Sequence, residues 1–351
     1  MRVLLVGAGR WGSVLAKKLK QMGMLVAVAD VEPTRRKVIG DASTGLDVLI
    51  VDDWTHSLAY CDAVVVATPP SSHFEIAKTA LEQGKHVLVE KPLATNVEDA
   101  EVLNSIAHNN GKVLMVGHTA VHASEIQAAK NFILGGDIGE IKYIHAARLN
   151  LGTINPDGVI MTLAPHDIAI FDYFLPSDRA VEVSATGQNF ISNNGTEEVA
   201  FLNIRYNSGV LAHLHLSWID PRKYRAVTIV GSKKMLVATS TPVAKIEIFD
   251  MFDKGVVSKE AGGYSDFILG CRHGSVISPY LEVYEPLEAQ FKKFKWACDH
   301  SSESIRADGN QGVRVVAIME AARESIKKGG GWIPIEIPID GSVGTGFSNL
   351  I

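Results

Sequence analysis

The most constraining feature of the sequence is a glycine pattern close to its beginning. An apolar run, Val3–Val6, is followed at once by glycines spaced GxGxxG, which are Gly7, Gly9 and Gly12. Apolar residues with helical spacing follow from Ser13. In a strand–turn–helix unit the first glycine permits the tight turn, the second lets a pyrophosphate approach the backbone, and the third lets helix and strand pack closely. The pattern predicts a dinucleotide-binding turn, with phosphates at the helix N-terminus.

A second apolar run ends at Asp30, eighteen residues after Gly12. This spacing is close to that of the acid that binds the adenosine ribose in dinucleotide-binding folds. Because a carboxylate accepts hydrogen bonds from both ribose hydroxyls and repels a 2′-phosphate, Asp30 favours NAD over NADP. Arg35 and Arg36 follow shortly afterwards and could soften that preference.

Apolar runs and helical patterns continue to alternate over the first third of the chain. We predict strands at Val48–Val51, Ala63–Ala67, His86–Val89 and Lys112–Val116, and helices at Phe74–Gln83 and Val97–Asn109. Such alternation is typical of βαβ units and predicts a doubly wound parallel sheet. Ligands of these sheets bind outside the carboxyl ends of the strands. The candidate binding residues are therefore those that follow the strands, including Thr68, Pro69, His73, Glu90, Lys91 and His118.

Lys91 stands out among these residues. It follows an apolar strand and precedes Pro92, which disfavours helical geometry at Lys91 and keeps it extended. A lysine at this edge points to where a nicotinamide and a substrate would meet, and partial desolvation would lower its pKa into a useful range. The alternative at this point is a solvated lysine in a turn, since surface lysines are common.

From about residue 120 the pattern changes. After a helix predicted at Ser124–Leu134, β-like stretches follow at Ile141–Leu151, Ala180–Gln188, Glu197–Tyr206, Val210–Trp218, Ala226–Val230, Leu236–Ala238 and Ile246–Phe249. Consecutive strands without helices between them predict an antiparallel sheet, and Asn207-Ser208-Gly209 is a good hairpin turn. We predict two domains, 1–120 and 121–351, with a last helix, Val313–Lys327, that packs back on the first. The open sheet face could form a homodimer or homotetramer interface.

Composition excludes several classes of protein. At ~150 residues per domain, 351 residues indicate about two domains. A net charge of −5 argues against nucleic-acid binding, which needs clustered basic residues. No signal peptide and no apolar run long enough to span a membrane are recognised. The three cysteines, Cys61, Cys271 and Cys298, lie far apart and are expected to be reduced thiols of a cytoplasmic protein.

Taken together, these motifs resemble a known family. The opening GAGRWG, Asp30, ATPP at 67–70, EKP at 90–92, Gly117-His118, APHD at 164–167 and Glu285-Pro286-Leu287 are similar to the Gfo/Idh/MocA oxidoreductases over essentially the whole chain. The resemblance implies an α/β fold with an N-terminal Rossmann doubly wound parallel sheet and a C-terminal α/β domain with a large, mostly antiparallel open sheet. It also implies hydride transfer between NAD, less so NADP, and a hydroxyl-bearing carbon of a sugar, cyclitol or sugar nucleotide. The residues it places at the cofactor are Gly7, Gly9, Arg10, Trp11, Gly12, Asp30, Thr68, Pro69, His73, Glu90, Lys91 and His118.

By the same resemblance, Lys91 acts near the substrate and His166 is the active-site histidine. Many family members carry Asp four residues before that histidine, on the same helix face, but here this position is Thr162. Threonine takes no proton at neutral pH, although it can hydrogen-bond a substrate hydroxyl. Nearby acids, which are Asp157, Asp167 and Asp172, offer no obvious replacement. We therefore assign proton transfer to Lys91 and substrate orientation to His166, with Thr162 as the third catalytic-site residue.

Two further groups of residues have both a functional and a structural interpretation. Arg272 lies in a stretch similar to family members that act on nucleotide-sugars, and could bind a substrate phosphate or carboxylate or form a structural salt bridge. His213 and His215 share a strand face, but without a third ligand at suitable spacing we interpret them as structural or interface residues and predict no metal site.

Three functional hypotheses remain open at this stage. The leading one is an NAD-dependent dehydrogenase or reductase acting on a small sugar-like molecule, with no nucleic-acid or membrane partner. A second is a dinucleotide-binding sensor that has lost catalysis, motivated by Thr162. A third is an enzyme in which tightly bound NAD oxidises the substrate transiently, without net redox change.

Overall fold

A computed structural model describes residues 1–42, 48–152, 154–192, 195–240, 245–251, 273–300 and 307–337. The predicted helix–strand alternation is present in the first part of the chain. Its strands are β1 Val3–Val6, β2 Leu25–Ala29, β3 Leu49–Val51, β4 Ala63–Val66, β5 His86–Val89 and β6 Leu114–Val116. Its helices are α1 Arg10–Gln21, α2 Pro33–Ala42, α3 His73–Glu82 and α4 Val97–Asn109.

These six strands form one sheet in the order β3-β2-β1-β4-β5-β6, and every pairing is parallel. Strands β1 and β4 are buried along their whole length, because helices cover both faces of the sheet. The strand order reverses next to β1, so the crevice between β1 and β4 opens at the carboxyl edge. This is where dinucleotides bind in doubly wound sheets.

The second part of the chain contains a larger sheet. Its helices are α5 Ser124–Leu134, α6 Gly158–Thr162, α7 Ala164–Phe174, α8 Pro286–Asp299 and α9 Gly309–Lys327. Its strands are β7 Ile141–Leu151, β8 Ala180–Gln188, β9 Val199–Tyr206, β10 Leu211–Ser217, β11 Ile219–Gly231, β12 Lys234–Thr239, β13 Ile246–Met251, β14 His273–Ile277 and β15 Ile333–Pro334. The order is β14-β13-β12-β11-β7-β10-β9-β8-β15, and all pairings except β10 with β7 are antiparallel. Both sheets confirm the predicted fold class.

Helix α9 connects the two sheets. Gly312 lies so close to the first sheet that an added Cβ would come within 2.7 Å of Leu93 and 2.8 Å of Val116. Further along the helix, the side chain of Ser325 donates to the backbone of β8 at Ala185. The domain boundary expected near residue 120 stays a prediction.

Within the described ranges, one face of the second sheet is covered by α7 and its neighbours, and the other face is open. On the open face Phe201 is 41% exposed and Leu211 is 48% exposed. His213 stacks on His145 with ring centroids 5.3 Å apart, and His215 stacks on Phe201 at 4.4 Å. The two histidines of β10 thus contact other rings of this face.

Candidate active site

The carboxyl edge of the parallel sheet brings together nearly all of the predicted site residues. The glycine turn follows β1, Asp30 follows β2, Thr68 and Pro69 follow β4, Glu90 and Lys91 follow β5, and His118 follows β6. Thr162 ends α6 and His166 lies in the first turn of α7, so both come from the second part of the chain. Arg272 lies outside the residues that the structure describes.

The glycine turn has the geometry that a pyrophosphate needs. Gly7 has φ +98°, and an added Cβ there would lie 2.6 Å from the carbonyl oxygen of Ala67. A Cβ at Gly12 would lie 2.0 Å from the carbonyl oxygen of Gly7, so helix and strand can pack only around glycine. By contrast, no atom lies within 4 Å of a Cβ built on Gly9, the N-cap of α1, where no side chain caps the helix. The free helix N-terminus and the open space above Gly9 fit the phosphates of a dinucleotide.

Asp30 supports this turn directly. Its carboxylate accepts a hydrogen bond from the backbone N–H of Ala8 at 2.7 Å and from that of Glu32 at 2.8 Å. The side chain is only 3% exposed, and the guanidinium of Arg35 lies 3.7 Å away. Asp30 therefore fixes the glycine turn against β2, while its contact with a ribose stays a prediction.

Two of the predicted cofactor residues are buried beneath the edge rather than presented at it. The His73 ring lies between two backbone carbonyls, with Nδ1 2.8 Å from the oxygen of Pro92 and Nε2 2.9 Å from that of Thr68. His118 is fully buried, with Nδ1 3.2 Å from Oε1 of Gln311, and burial lowers its pKa to about 4. Their contacts hold the loops after β4, β5 and β6 in place.

Glu90 and Trp11 connect the glycine turn to the end of β5. The Trp11 side chain, which is 44% exposed, lies near the buried Glu90 carboxylate and favours its charged form. Burial raises the pKa of Glu90, against the opposing effects of Trp11 and Lys91. Gly117 allows this arrangement, because an added Cβ would lie 2.8 Å from the Glu90 carboxylate. Both Trp11 and Glu90 thus border the predicted cofactor crevice.

Lys91 and Thr162 meet across the boundary between the two parts of the chain. The Lys91 ammonium donates to the backbone carbonyl of Thr162 at 2.6 Å. The Thr162 hydroxyl donates within its own helix to the carbonyl of Gly158 at 2.7 Å. Burial lowers the pKa of Lys91; the charge of Glu90 opposes this effect and that of Arg148 adds to it. A fixed lysine with a lowered pKa can exchange a proton with a substrate hydroxyl near neutral pH.

His166 lies beside this lysine. Its Nδ1 is buried and has no hydrogen-bond partner within the described part of the chain. Its pKa lies well below the ordinary value because of burial, and then because of the positive charges of Lys91 and Arg148. The ring is therefore neutral at physiological pH, so it can orient a hydroxyl through one donor and one acceptor nitrogen.

The structure adds site residues that sequence reasoning missed. Arg148 of β7 donates from Nε and Nη2 to the two oxygens of Asp167 at 2.5 and 2.9 Å, and both side chains are buried. This ion pair fixes the first turn of α7 and hence His166. Arg225 of β11 lies opposite Arg148 in the strand register. Of these three residues, only Asp167 was noticeable in the sequence. It directly follows His166 and was therefore expected to lie on a different helix face.

A second missed group lies behind His118. Asp172 accepts hydrogen bonds from Nε of Arg314 at 2.5 Å and from Nε2 of Gln311 at 2.9 Å. Gln311 in turn contacts His118, so this network joins the end of β6 to α7 and α9. Asp172 thus has a structural role, which agrees with its exclusion as a replacement for the missing aspartate.

The described residues were also searched for metal ligands and for membrane-crossing helices. No group of three or more His, Cys, Asp or Glu side chains in those ranges could hold a metal ion. No helix within them is long and apolar enough to cross a membrane.

The glycine turn, the acid after β2 and the strand-end lysine define a class of NAD-binding oxidoreductases. The chain belongs to the Gfo/Idh/MocA family. Residues 1–118 match the family model described as "Oxidoreductase family, NAD-binding Rossmann fold", and residues 126–237 match "GFO/IDH/MocA C-terminal domain". The resemblance inferred from the sequence motifs is thereby confirmed, as are NAD as cofactor and the oxidoreductase class.

Relatives cover most of the chain at moderate identity. It is 28% identical over 237 residues to UDP-N-acetylglucosamine 3-dehydrogenase of Acidithiobacillus ferrooxidans, covering 65% of this chain and 71% of that protein. It is 26% identical over 341 residues to inositol 2-dehydrogenase of Rhizobium meliloti, covering 93% of this chain and 97% of that protein. The solved structure of the Acidithiobacillus enzyme superposes with a TM-score of 0.79 at 24% identity, covering 93% of this chain and 98% of the solved one, which supports the fold.

Proposed function

We propose that the protein is an NAD-dependent dehydrogenase that acts on a hydroxyl-bearing carbon of a sugar, cyclitol or sugar nucleotide. The observation that carries the proposal is Lys91, fixed at 2.6 Å on the carbonyl of Thr162 where the NAD-binding sheet meets His166. The names of the relatives support it: one is a UDP-N-acetylglucosamine 3-dehydrogenase, one an inositol 2-dehydrogenase and one a 1,5-anhydro-D-fructose reductase. A solved inositol dehydrogenase homologue of Azotobacter vinelandii was crystallised with NADH and myo-inositol.

Different residues of the chain would bind the cofactor, transfer the proton and orient the substrate. The chemistry that bound NAD would supply is an acceptor for the hydride of the substrate's carbinol carbon. The glycine turn would hold its pyrophosphate, with Asp30 behind the turn, and Glu90 and Trp11 would border its nicotinamide half. Neutral Lys91 takes the proton of the substrate hydroxyl, and its lowered pKa increases the neutral fraction at a given pH. His166, held through the neighbouring ion pair of Asp167, orients that hydroxyl.

Thr162 does not prevent this chemistry. The contact of Lys91 is to the backbone of residue 162, so it forms with any side chain at that position. The proton acceptor is Lys91 itself, and burial, to which the charge of Arg148 adds, lowers its pKa without an aspartate at position 162.

The decisive experiment is the Lys91→Ala variant, assayed with a panel of aldoses, cyclitols and sugar nucleotides. We expect turnover to fall by at least a hundredfold, since general acid–base groups contribute roughly 10²–10⁴-fold, while NADH binding measured by fluorescence is retained. The control is Lys85→Ala, which alters a lysine at the opposite end of the same strand, where it contacts the carbonyl of Cys61, and it should leave turnover unchanged.

Three results would contradict the proposal. A fully active Lys91→Ala enzyme would remove Lys91 from the proton step. NADH binding without turnover of any panel member by the unaltered protein would indicate a cofactor-binding protein without catalysis. Cofactor that survives purification, together with substrate conversion but no net NADH, would indicate transient oxidation instead.

We further propose that the open face of the second sheet mediates a homodimer or homotetramer. The support is the row of exposed apolar side chains on that face, which includes Tyr143, Phe201 and Leu211. Sedimentation of the intact protein tests this, and a monomer at micromolar concentration would contradict it.

A further inference from the structure

Three basic side chains, those of Lys91, Arg148 and Arg225, lie near the predicted catalytic histidine. Arg148 of β7 and Arg225 of β11 are directly opposite in the antiparallel register, so their side chains leave the same face of the sheet. That face is the one toward α7, because Arg148 reaches Asp167 there. After burial, the charges of Lys91, Arg148 and Arg225 all contribute to lowering the pKa of His166. The strand register and the pair of Arg148 with Asp167 therefore place Arg225 at the point where this sheet face meets α7, the helix of His166.

The acidic groups at this point do not balance that charge. Both carboxylate oxygens of Asp167 accept hydrogen bonds from Arg148, so the negative charge of Asp167 is paired with Arg148. Glu90, beside Lys91, is buried, and burial raises its pKa. No other carboxylate among the described residues is hydrogen-bonded to Lys91, Arg148 or Arg225. Within the described ranges, Arg225 forms no ion pair with an acid of its own.

The Nε of Arg225 also has no hydrogen-bond partner in the part of the chain that the structure describes. This nitrogen is buried. Leaving a charged donor unsatisfied in a buried position is costly, and such groups call for an explanation. Proteins that bind charged ligands carry unsatisfied groups of this kind, because the ligand supplies the missing acceptor.

We propose that Arg225 forms a subsite for an oxyanion of the substrate, a carboxylate or a phosphate ester, next to the hydroxyl that Lys91 and His166 handle. The inference rests on the proposed function and narrows its substrate class, which includes sugars, cyclitols and sugar nucleotides, to the members that carry an oxyanion. The planar guanidinium supplies a donor fork that matches carboxylate and phosphate oxygens. Arg148 contributes charge but not the fork, since its Nε and Nη2 are bonded to Asp167.

The test measures binding, so that it does not depend on turnover. Isothermal titration calorimetry of the NAD-saturated enzyme is performed with glucose, glucuronate and glucose 1-phosphate, which share one ring and differ in charge. We expect at least one anion to bind about tenfold more tightly than glucose, as hydrogen bonds to charged groups allow. The glucuronate and phosphate arms distinguish the two oxyanions.

The variants assign the preference to Arg225. Arg225→Gln should reduce the ratio of anion to glucose affinity to about one, and Arg225→Lys, which keeps the charge but not the fork, should retain part of it. Unchanged NADH binding and an unchanged melting temperature show that the variant is folded. The control is Arg222→Gln, an exposed arginine of the same strand, which should keep the full preference.

The outcomes separate this inference from the proposed function. Equal affinity for all three probes in the unaltered protein, or a preference that survives Arg225→Gln, overturns the subsite. Turnover of neutral sugars without any preference for charged ones would support the proposed dehydrogenase activity and reject the subsite. Tight, Arg225-dependent anion binding with no turnover of any sugar would support the subsite and reject the dehydrogenase.

Discussion

Thr162 stands at the position where the family resemblance led us to expect an aspartate. Its hydroxyl is engaged with the carbonyl of Gly158, and its backbone carbonyl holds Lys91. The side chain at this position therefore does not locate the lysine; what an aspartate would change is the local charge. With threonine there, burial lowers the pKa values of Lys91 and His166, and the positive charge of Arg148 adds to this effect at both groups.

Thr162→Asp should shift the pH dependence of alcohol oxidation. A carboxylate within a few ångströms favours the charged form of Lys91 and raises its pKa, by about one unit or more. Since neutral Lys91 is the base, the rate rises with pH through this pKa, and the rising limb of kcat should move to higher pH. Steady-state rates between pH 6 and 10 measure the shift.

The control for that prediction is Thr162→Asn, which has nearly the shape of aspartate without its charge. Its rising limb should coincide with that of the unaltered enzyme. If the two variants show the same profile, the group that titrates is not close to residue 162, and the assignment of Lys91 as the base is wrong.

At the scale of elements, α9 holds the site together from behind. Its N-cap, Asp308, accepts from the backbone of Gln311 at 2.8 Å, and the next turn passes directly over the segment that follows Lys91. Gly312 permits this close passage, because a Cβ there would come within 2.7 Å of Leu93. The position of α9 therefore constrains the loop after β5 and hence the lysine.

Gly312→Val should destabilise the protein by about 2 kcal/mol, because the branched side chain would have to displace Leu93 and Val116 in a packed interior. Urea denaturation followed by circular dichroism measures the change. The matched control is Lys327→Val at the exposed end of the same helix, where only helix propensity changes and the cost should stay below about 1 kcal/mol. Equal losses for both variants would show that α9 does not pack tightly at Gly312.

The bounds of several helices and strands can be predicted from sequence patterns, whereas those of others cannot. The helices Val97–Asn109 and Ser124–Leu134 and the strand Ile141–Leu151 were predicted with their observed bounds, because apolar periodicity covers them completely. Strand β11 was predicted only over Ala226–Val230, yet it begins at Ile219. Residues 221–223 near its start are exposed, and its pairing with β7 shifts register between Ile219 and Tyr224, so no period-2 pattern marks this part.

Some site residues can be predicted from the sequence and others cannot. Strand-end residues such as Lys91 follow from the rule that parallel strands share a carboxyl edge. Arg148 and Arg225 could not be found this way, since they meet only because β7 pairs with β11, far along the chain. Gln311 is hidden for a similar reason, because its partners His118 and Asp172 lie on two other elements.

At the scale of the whole molecule, the buried network of His118, Gln311, Asp172 and Arg314 connects the two halves. His118 is the titratable group of this network with the clearest consequence for stability. Burial lowers its pKa from 6.5 to about 4, so it is neutral in the folded state but accepts a proton in the unfolded state below about pH 6.5. Its contribution to stability is therefore complete above about pH 6.5 and is lost as the pH falls toward 4.

The expected result is a loss of about 2 kcal/mol of unfolding free energy between pH 7 and pH 5 from this histidine alone. His118→Gln, which removes the titration, should show a smaller loss over the same interval, whatever its stability at pH 7. Urea unfolding at both pH values measures the difference, and exposed His56→Gln serves as the control with the original pH dependence. His166, whose pKa is also lowered by burial, should leave a residual slope in His118→Gln. Parallel losses in the two variants would mean that His118 is accessible to protons in the folded protein.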